Sequence, residues 1–266
     1  PFVVKAAAAA APAYLVAGAL KRQTLDSAET TAILPLVTNS NVQIWPQSAI
    51  DAIANGTTVV APASVVKVKE SGNLYLIDGW SRGLRMTATV ASGFSVATPK
   101  IVTRAQLAGY NTTGILDWQK VICNSNTYLV DSGLLLKIDA NSVSQWPGTG
   151  VTLDSKTCVR LAPNANQVGT LVANGTKNYK LSGKKLRLIR TPAEYATLSN
   201  GQTPAALVSS SLIANLPKGN PTSYVVVAGD SLTKVAGKFK TTREVLRSLN
   251  SLQTDTLQRG QVLILP

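Results

Sequence analysis

The sequence predicts a mostly β repeat region followed by a small α+β module of βααβ order. Two observations carry this. One hairpin-like phrase recurs four times along the first 220 residues. After residue 223 the apolar spacing moves from the alternation of strands to the i, i+3, i+4, i+7 spacing of a helix, and back again.

The phrase reads "AYLVAGALKRQTL" from Ala13, "LYLIDGWSRGLRM" from Leu74, "TYLVDSGLLLKI" from Thr127 and "NYKLSGKKLRLI" from Asn178. Its anchors are Tyr14, Tyr75, Tyr128 and Tyr179, at separations of 61, 53 and 51 residues. Each phrase alternates apolar and polar residues, reaches a glycine (Gly18, Gly79, Gly133, Gly183) and resumes. That pattern predicts a hairpin, because glycine takes turn conformations that larger residues resist. An apolar stretch precedes each phrase ("FVV", "SVVKV", "KVI", "TLV"), so each unit should open with three strands. A short helical piece follows, such as 27–34 or 191–198, where Thr191, Pro192 and Glu194 form a helix start. A second short segment, such as "SSSLIANLPKG", closes the unit.

This gives four β-rich repeats of about 50–60 residues over 1–220 and a separate module over 221–266. Units of this size must bury their apolar faces on neighbours. A small propeller, a linear array and paired sheets all satisfy the pattern. Trp45, Trp80, Trp118 and Trp146 lie in the first three units and read as packing residues rather than sugar platforms.

Lys and Arg number 26 against 13 Asp and Glu, a formal charge of +13. The excess is spread along the chain, which favours polyanions without indicating a specific nucleic-acid site. With no histidine and only two cysteines, the chain offers neither a Cys–His pair nor a structural zinc site, and no metal or cofactor is expected. Cys123 and Cys158, on segments that both read as strands of the third unit, are expected to form a disulfide in an oxidising compartment; two unrelated thiols are the alternative. No run is long and apolar enough for a membrane span. The opening Pro1 and "PFVVKAAAAAAPAYLV" read as the start of a processed or excised chain.

The last segment reads strand, helix, helix, strand. Tyr224–Val227 forms the first strand, and Leu232, Val235, Ala236 and Phe239 share one face of the first helix. Gly229 turns the chain and Asp230 is placed to cap that helix. Thr241 and Glu244 fit a capping box for the second helix. Val245, Leu246 and Leu249 would be its apolar face, Asn250 its end, and "QVLILP" after Gly260 the closing strand.

With Tyr224, Val226, Gly229, Asp230, Ser231, Leu232, Ala236, Phe239, Leu246, Leu249, Asn250, Leu252, Leu257, Gly260, Gln261, Leu263, Leu265 and Pro266 in place, this segment resembles a LysM domain over its full length. The resemblance implies binding of an N-acetylglucosamine-containing glycan, peptidoglycan or a chitin-like polymer, in a shallow groove between two loops. One loop is Gly229, Asp230, Ser231 and Leu232. The other is Ser251, Leu252, Gln253, Thr254 and Asp255. Two positions depart from the family: Lys240 stands where glycine is frequent, so that turn must differ or strain, and Arg243 where an apolar residue is usual. The hairpin phrases more loosely resemble degenerate repeats in surface and cell-wall proteins of high-GC Gram-positive bacteria.

No catalytic residues are expected. The acidic residues are scattered, and Asp78 and Asp131 fall in hairpin turns, where aspartate serves local hydrogen bonding. The expectation is a non-catalytic, extracellular, wall-associated protein in which anionic wall polymers add attraction. The alternative is a structural subunit of an extracellular or virion assembly, homo-oligomeric or larger, with the LysM segment as a packing module.

Overall fold

The computed structural model describes residues 1–94, 98–199 and 205–266. The chain divides into two units, Pro1–Leu136 with Gly148–Ala165, and Lys137–Pro147 with Asn166–Pro266. The architecture is mostly β, in several small sheets with short helices between them.

The recurrent phrase becomes a recurrent register. In the first repeat, Ala13–Ala17 pairs antiparallel with Phe2–Lys5 and with Leu20–Gln23. Leu74–Asp78 does the same between Val65–Val68 and Arg82–Met86, as does Lys177–Ser182 between Leu171–Asn174 and Lys185–Ile189. In the third repeat Asn126–Asp131 pairs with Lys120–Cys123 and precedes Leu134–Ile138. Each tyrosine faces a valine: Tyr14 opposite Val4, Tyr75 opposite Val66, Tyr128 opposite Val121, Tyr179 opposite Val172. All four valines have zero exposure.

Their strands are central for a topological reason. In every repeat a fourth short strand returns to lie parallel to the first: Val42–Ile44, Lys100–Val102, Val151–Thr152 and Ala206–Leu207. The opening strand of each repeat is therefore flanked on both sides. A parallel return needs a crossover. Helices Ser27–Ile33, Ala88–Phe94 and Pro192–Ser199, and the 3-10 helix Ala140–Gln145, supply it.

Within the first unit the repeats share their cores. Leu76 and Leu84 of the second repeat pack in one cluster with Val121, Val130 and Leu135 of the third. The linker between the first two repeats is buried and held by side chains. Arg22 donates to Thr57 O and Thr58 O, both at 3.0 Å. Tyr110 Oη accepts from Val60 N–H at 2.8 Å, and burial pushes that phenol above its ordinary pKa. The fully buried Glu29 accepts from Ala61 N–H and pairs with Lys100. Arg160 donates to Pro62 O at 2.6 Å. Four side chains from three repeats thus satisfy backbone groups that burial would otherwise leave unpaired.

Cys123 and Cys158 form a disulfide with Cα atoms 5.7 Å apart. Cys158 lies on the helix Ser155–Arg160 rather than on a strand. Asp154 begins that helix by accepting from Lys156 N–H at 2.8 Å, so local capping overrides the apolar alternation that suggested a strand. Asp78 does more than hold its own turn. Its buried carboxylate pairs with Arg82 and accepts from Asp154 N–H at 2.8 Å, seventy-six residues away. Gly79, at φ +62°, faces the same helix, and a Cβ there would stand 2.8 Å from Asp154 Cγ.

Trp146 is fully buried and donates to Gly169 O at 3.2 Å. Trp45 packs on Phe2 with ring centroids 5.4 Å apart. Trp80 and Trp118 are half-buried, so none of the four is an open platform.

In the second unit the fourth repeat passes into the C-terminal module without a spacer. In the first two repeats the exit segment bonds beside the third strand: Val59 N–H to Gln23 O at 2.9 Å and Leu116 N–H to Arg85 O at 2.9 Å. In the fourth, Thr222 N–H bonds Leu188 O at 3.0 Å. Gln23, Arg85 and Leu188 are the register partners of Tyr14, Tyr75 and Tyr179. The chain therefore leaves the fourth repeat through the same kind of bond by which it leaves the first two.

Candidate functional site

The module is a two-stranded antiparallel sheet, Ser223–Val225 with Val262–Ile264, enclosing helices Leu232–Lys238 and Arg243–Leu249. Its first strand is shorter than the apolar run to Val227 suggests. Tyr224, Val226, Leu263 and Leu265 face inward onto Leu232, Val235, Ala236, Phe239 and Leu246, all buried. On the second helix only Leu246 is core; Val245 and Leu249 are each 42% exposed. A seven-residue helix on so small a sheet presents little of its surface inward, so the wider apolar face expected from sequence is not buried.

The first loop is built by a different division of labour from the expected one. Ser231, not Asp230, caps the first helix, accepting from Lys234 N–H at 3.3 Å. Asp230 turns back and accepts from the Tyr224 hydroxyl at 2.7 Å and Val227 N–H at 2.8 Å. These bonds, the Val227 amide first, hold its carboxyl below the usual carboxylate range. Lys234 Nζ donates to Gly229 O at 2.8 Å, and Lys238 Nζ sits 4.3 Å over the Tyr224 ring. Gly229 has φ +83° with open space where a Cβ would go, so conformation, not crowding, requires glycine.

The second loop is strapped to the second helix. Leu252 N–H donates to Arg247 O at 2.9 Å, and Arg247 Nη2 to Gln253 O at 3.1 Å. Asp255 lies 3.5 Å from both Arg243 and Arg247. Arg243 thus anchors the loop from the position where the family usually has an apolar residue. Asn250 ends the helix and also reads the closing strand: its amide donates to Ile264 O at 2.9 Å and accepts from Ile264 N–H at 2.6 Å. The second helix is capped by Thr242, which accepts from Val245 N–H at 3.2 Å, so Thr241 and Glu244 do not form a capping box. Lys240 takes φ +53°, the left-handed conformation that a glycine there would adopt freely.

Of the nine loop residues named from sequence, Gly229, Ser231, Ser251, Gln253, Thr254 and Asp255 are exposed. Asp230 is half-buried in its own network. Leu232 is 1% exposed, so its side chain belongs to the core and only its backbone reaches the loop. Leu252 is half-buried against the same cluster, so Leu232 and Leu252 root both loops in one core. Sequence reasoning missed Lys234, Arg247 and the second role of Asn250. The i, i+4 spacing of Arg243 and Arg247 was the available signal, since it puts two guanidiniums on one helix face. Among the described residues no cluster of metal-ligating side chains occurs. Nor is any helix there long and apolar enough to cross a membrane.

Two loops on a βααβ core, each fixed by a carboxylate and offering mainly backbone and small polar groups, define a binding module rather than a catalytic one. The LysM domain family matches residues 224–266, so the C-terminal segment is a LysM domain. That assignment implies binding of peptidoglycan- or chitin-type glycans, and the domain is typical of extracellular and cell-wall proteins. No family match covers the hairpin repeats, and no curated protein matches the chain. Two solved structures are similar in part. One is the periplasmic assembly from the ESX-5 inner membrane complex, at 12% identity over 83% of this chain and 59% of that one, with a TM-score of 0.21. The other is an intact ESX-5 inner membrane complex, at 12% identity over 86% and 53%, also with a TM-score of 0.21. The chain spans less than two thirds of each, and that score is too low to relate the folds.

Proposed function

We propose that the protein is a non-catalytic, extracellular, wall-binding protein whose LysM groove takes an N-acetylglucosamine-containing glycan, peptidoglycan first. The observation that carries this is the fixing of both loops from within the module. Asp230 ties the first loop to Tyr224 and Val227, and Asp255 with Arg247 ties the second to its helix. Loops ordered before the ligand arrives lose less conformational freedom on binding. Their exposed backbone amides and carbonyls, with serine and threonine hydroxyls, suit sugar acetamide and hydroxyl groups. The net charge of +13 adds screened attraction to anionic wall polymers.

A second reading keeps the LysM domain as a packing module in an extracellular or virion assembly. It is favoured by the junction, where Arg187 donates to Asn220 O at 3.1 Å, Pro221 O at 3.3 Å and Leu265 O at 2.7 Å. Such a clamp suits a rigid subunit.

Calorimetry with chito-oligosaccharides and sedimentation with purified sacculi, at low and high salt, separate the two. The glycan reading expects saturable sugar binding that survives salt and is abolished by Leu252→Asp in protein whose thermal melting shows the domain still folded, since Leu252 also packs on the core. Indifference to both ligands at millimolar sugar leaves the assembly reading in its place.

A further inference from the structure

The fourth repeat and the LysM domain part company at a fork. Lys185–Ile189 runs beside the exit segment as far as the bond from Thr222 N–H to Leu188 O. Beyond it one chain enters the helix Pro192–Ser199 and the other becomes the strand Ser223–Val225. The fork leaves an open cleft of about 470 Å³ lined by Lys177, Leu188, Ile189, Arg190, Thr191 and Val225, among others.

Three features of this cleft converge. The first is a free strand edge. Thr222 and Val226 exchange backbone bonds with Leu265, Gln261 and Gly260 of the closing segment. In an antiparallel ladder alternate residues point opposite ways, which sends the N–H and C=O of Val225 to the other edge. The second is an apolar floor: the Val225 side chain is 37% exposed, beside Leu188 and Ile189. The third is charge. Residues 177–190 hold Lys177, Lys180, Lys184, Lys185, Arg187 and Arg190 and no carboxylate; Glu194, a carboxylate at the fork itself, is taken up by the Arg190 N–H at 3.1 Å and the Ser223 hydroxyl at 2.9 Å. Lys177 and Arg190 stand at the cleft, exposed, with no ion-pair partner among the described residues.

We propose that the fork binds a short, extended, acidic peptide segment. Its backbone adds to the free edge at Val225, its apolar side chains cover Ile189 and Val225, and its carboxylates meet Lys177 and Arg190. Strand addition of this kind takes affinity from main-chain hydrogen bonds and selectivity from alternate side chains. A polyanion without a peptide backbone uses the cations but neither the edge nor the floor. The proposal does not depend on the glycan reading of the LysM groove.

The test is fluorescence anisotropy of the full chain with a labelled peptide of alternating valine and glutamate. Binding is expected, and N-methylation of the peptide backbone should weaken it about tenfold or more. Lys177→Ala with Arg190→Ala should weaken it about tenfold, while Lys184→Ala with Lys185→Ala, an equal loss of charge at the hairpin tip, should change it less than about twofold. Val225→Asp, at a partly exposed position and checked for folding by thermal melting, should also abolish binding. Equal losses from the two double variants, indifference to N-methylation, or displacement by inorganic polyphosphate at matched charge as complete as by unlabelled peptide would each overturn the proposal.

Discussion

The Asp230 carboxylate accepts from the Tyr224 hydroxyl at 2.7 Å, closing the loop between the first strand and first helix of the LysM domain onto the strand it has just left. The same oxygen takes the Val227 amide at 2.8 Å, so one carboxylate oxygen ties the loop at two points. Asp230→Ala should leave the helix intact, because Ser231 caps it, but free the loop. Hydrogen exchange at Val227 should accelerate while exchange at Val235 stays unchanged. The pH dependence follows from the lowered carboxyl pKa. A depressed folded-state value means that the contribution is present above the unfolded value and is lost as pH falls through the folded one. The Val227 amide resonance should therefore shift only in acid below the usual carboxylate range. A midpoint at or above the ordinary aspartate value would contradict this account.

Lys240, at φ +53°, should gain from glycine. The left-handed conformation costs a residue with a Cβ about 1–2 kcal/mol, part of which glycine returns through its freer unfolded chain. Lys240→Gly should stabilise the domain by about 0.5–1 kcal/mol, measured by urea denaturation of the whole protein followed through a domain-specific probe.

The Cys123–Cys158 bond closes a loop of 35 residues in sequence separation. Replacing both cysteines by alanine should cost about 3–4 kcal/mol by the chain-entropy estimate. The first unit should bear this loss, since both half-cystines lie in its shared cluster. A denaturation midpoint unchanged in the double variant would refute it.

Arg187 reaches three carbonyls on both sides of the junction, and burial pulls its guanidinium below its ordinary pKa. Lysine keeps the charge but not the planar fork. Arg187→Lys should leave the LysM fold in place and expose the segment 217–222 to limited proteolysis. Wild-type protein cut there at the same rate would show that the clamp does not restrain the junction.

Much of this protein was decided locally and could be read locally. The four tyrosines, the turn glycines and the apolar stretch before each phrase depend on alternation and on positive φ, both properties of a few adjacent residues. The helix face Leu232, Val235, Ala236 and Phe239 was legible for the same reason, as was the LysM pattern from Tyr224 to Pro266. Tertiary structure decided the rest, because it turned on partners distant in sequence. The valines opposite the tyrosines lie on central strands because a fourth strand returns in parallel, and alternation carries no mark of that crossover. Ser231 and Asp230 are both competent caps; the Tyr224 hydroxyl drew the aspartate away and left the cap to serine. Asp78 reads as a turn residue but ends its strand, and what it holds is Asp154, brought there by the packing of another repeat. Val245 and Leu249 have the spacing of a buried face, but a two-stranded sheet is too narrow to cover more than Leu246. Sequence fixed which residues prefer to turn, alternate or coil. Which of their polar groups would find each other was settled only within each packed unit, by partners distant in sequence.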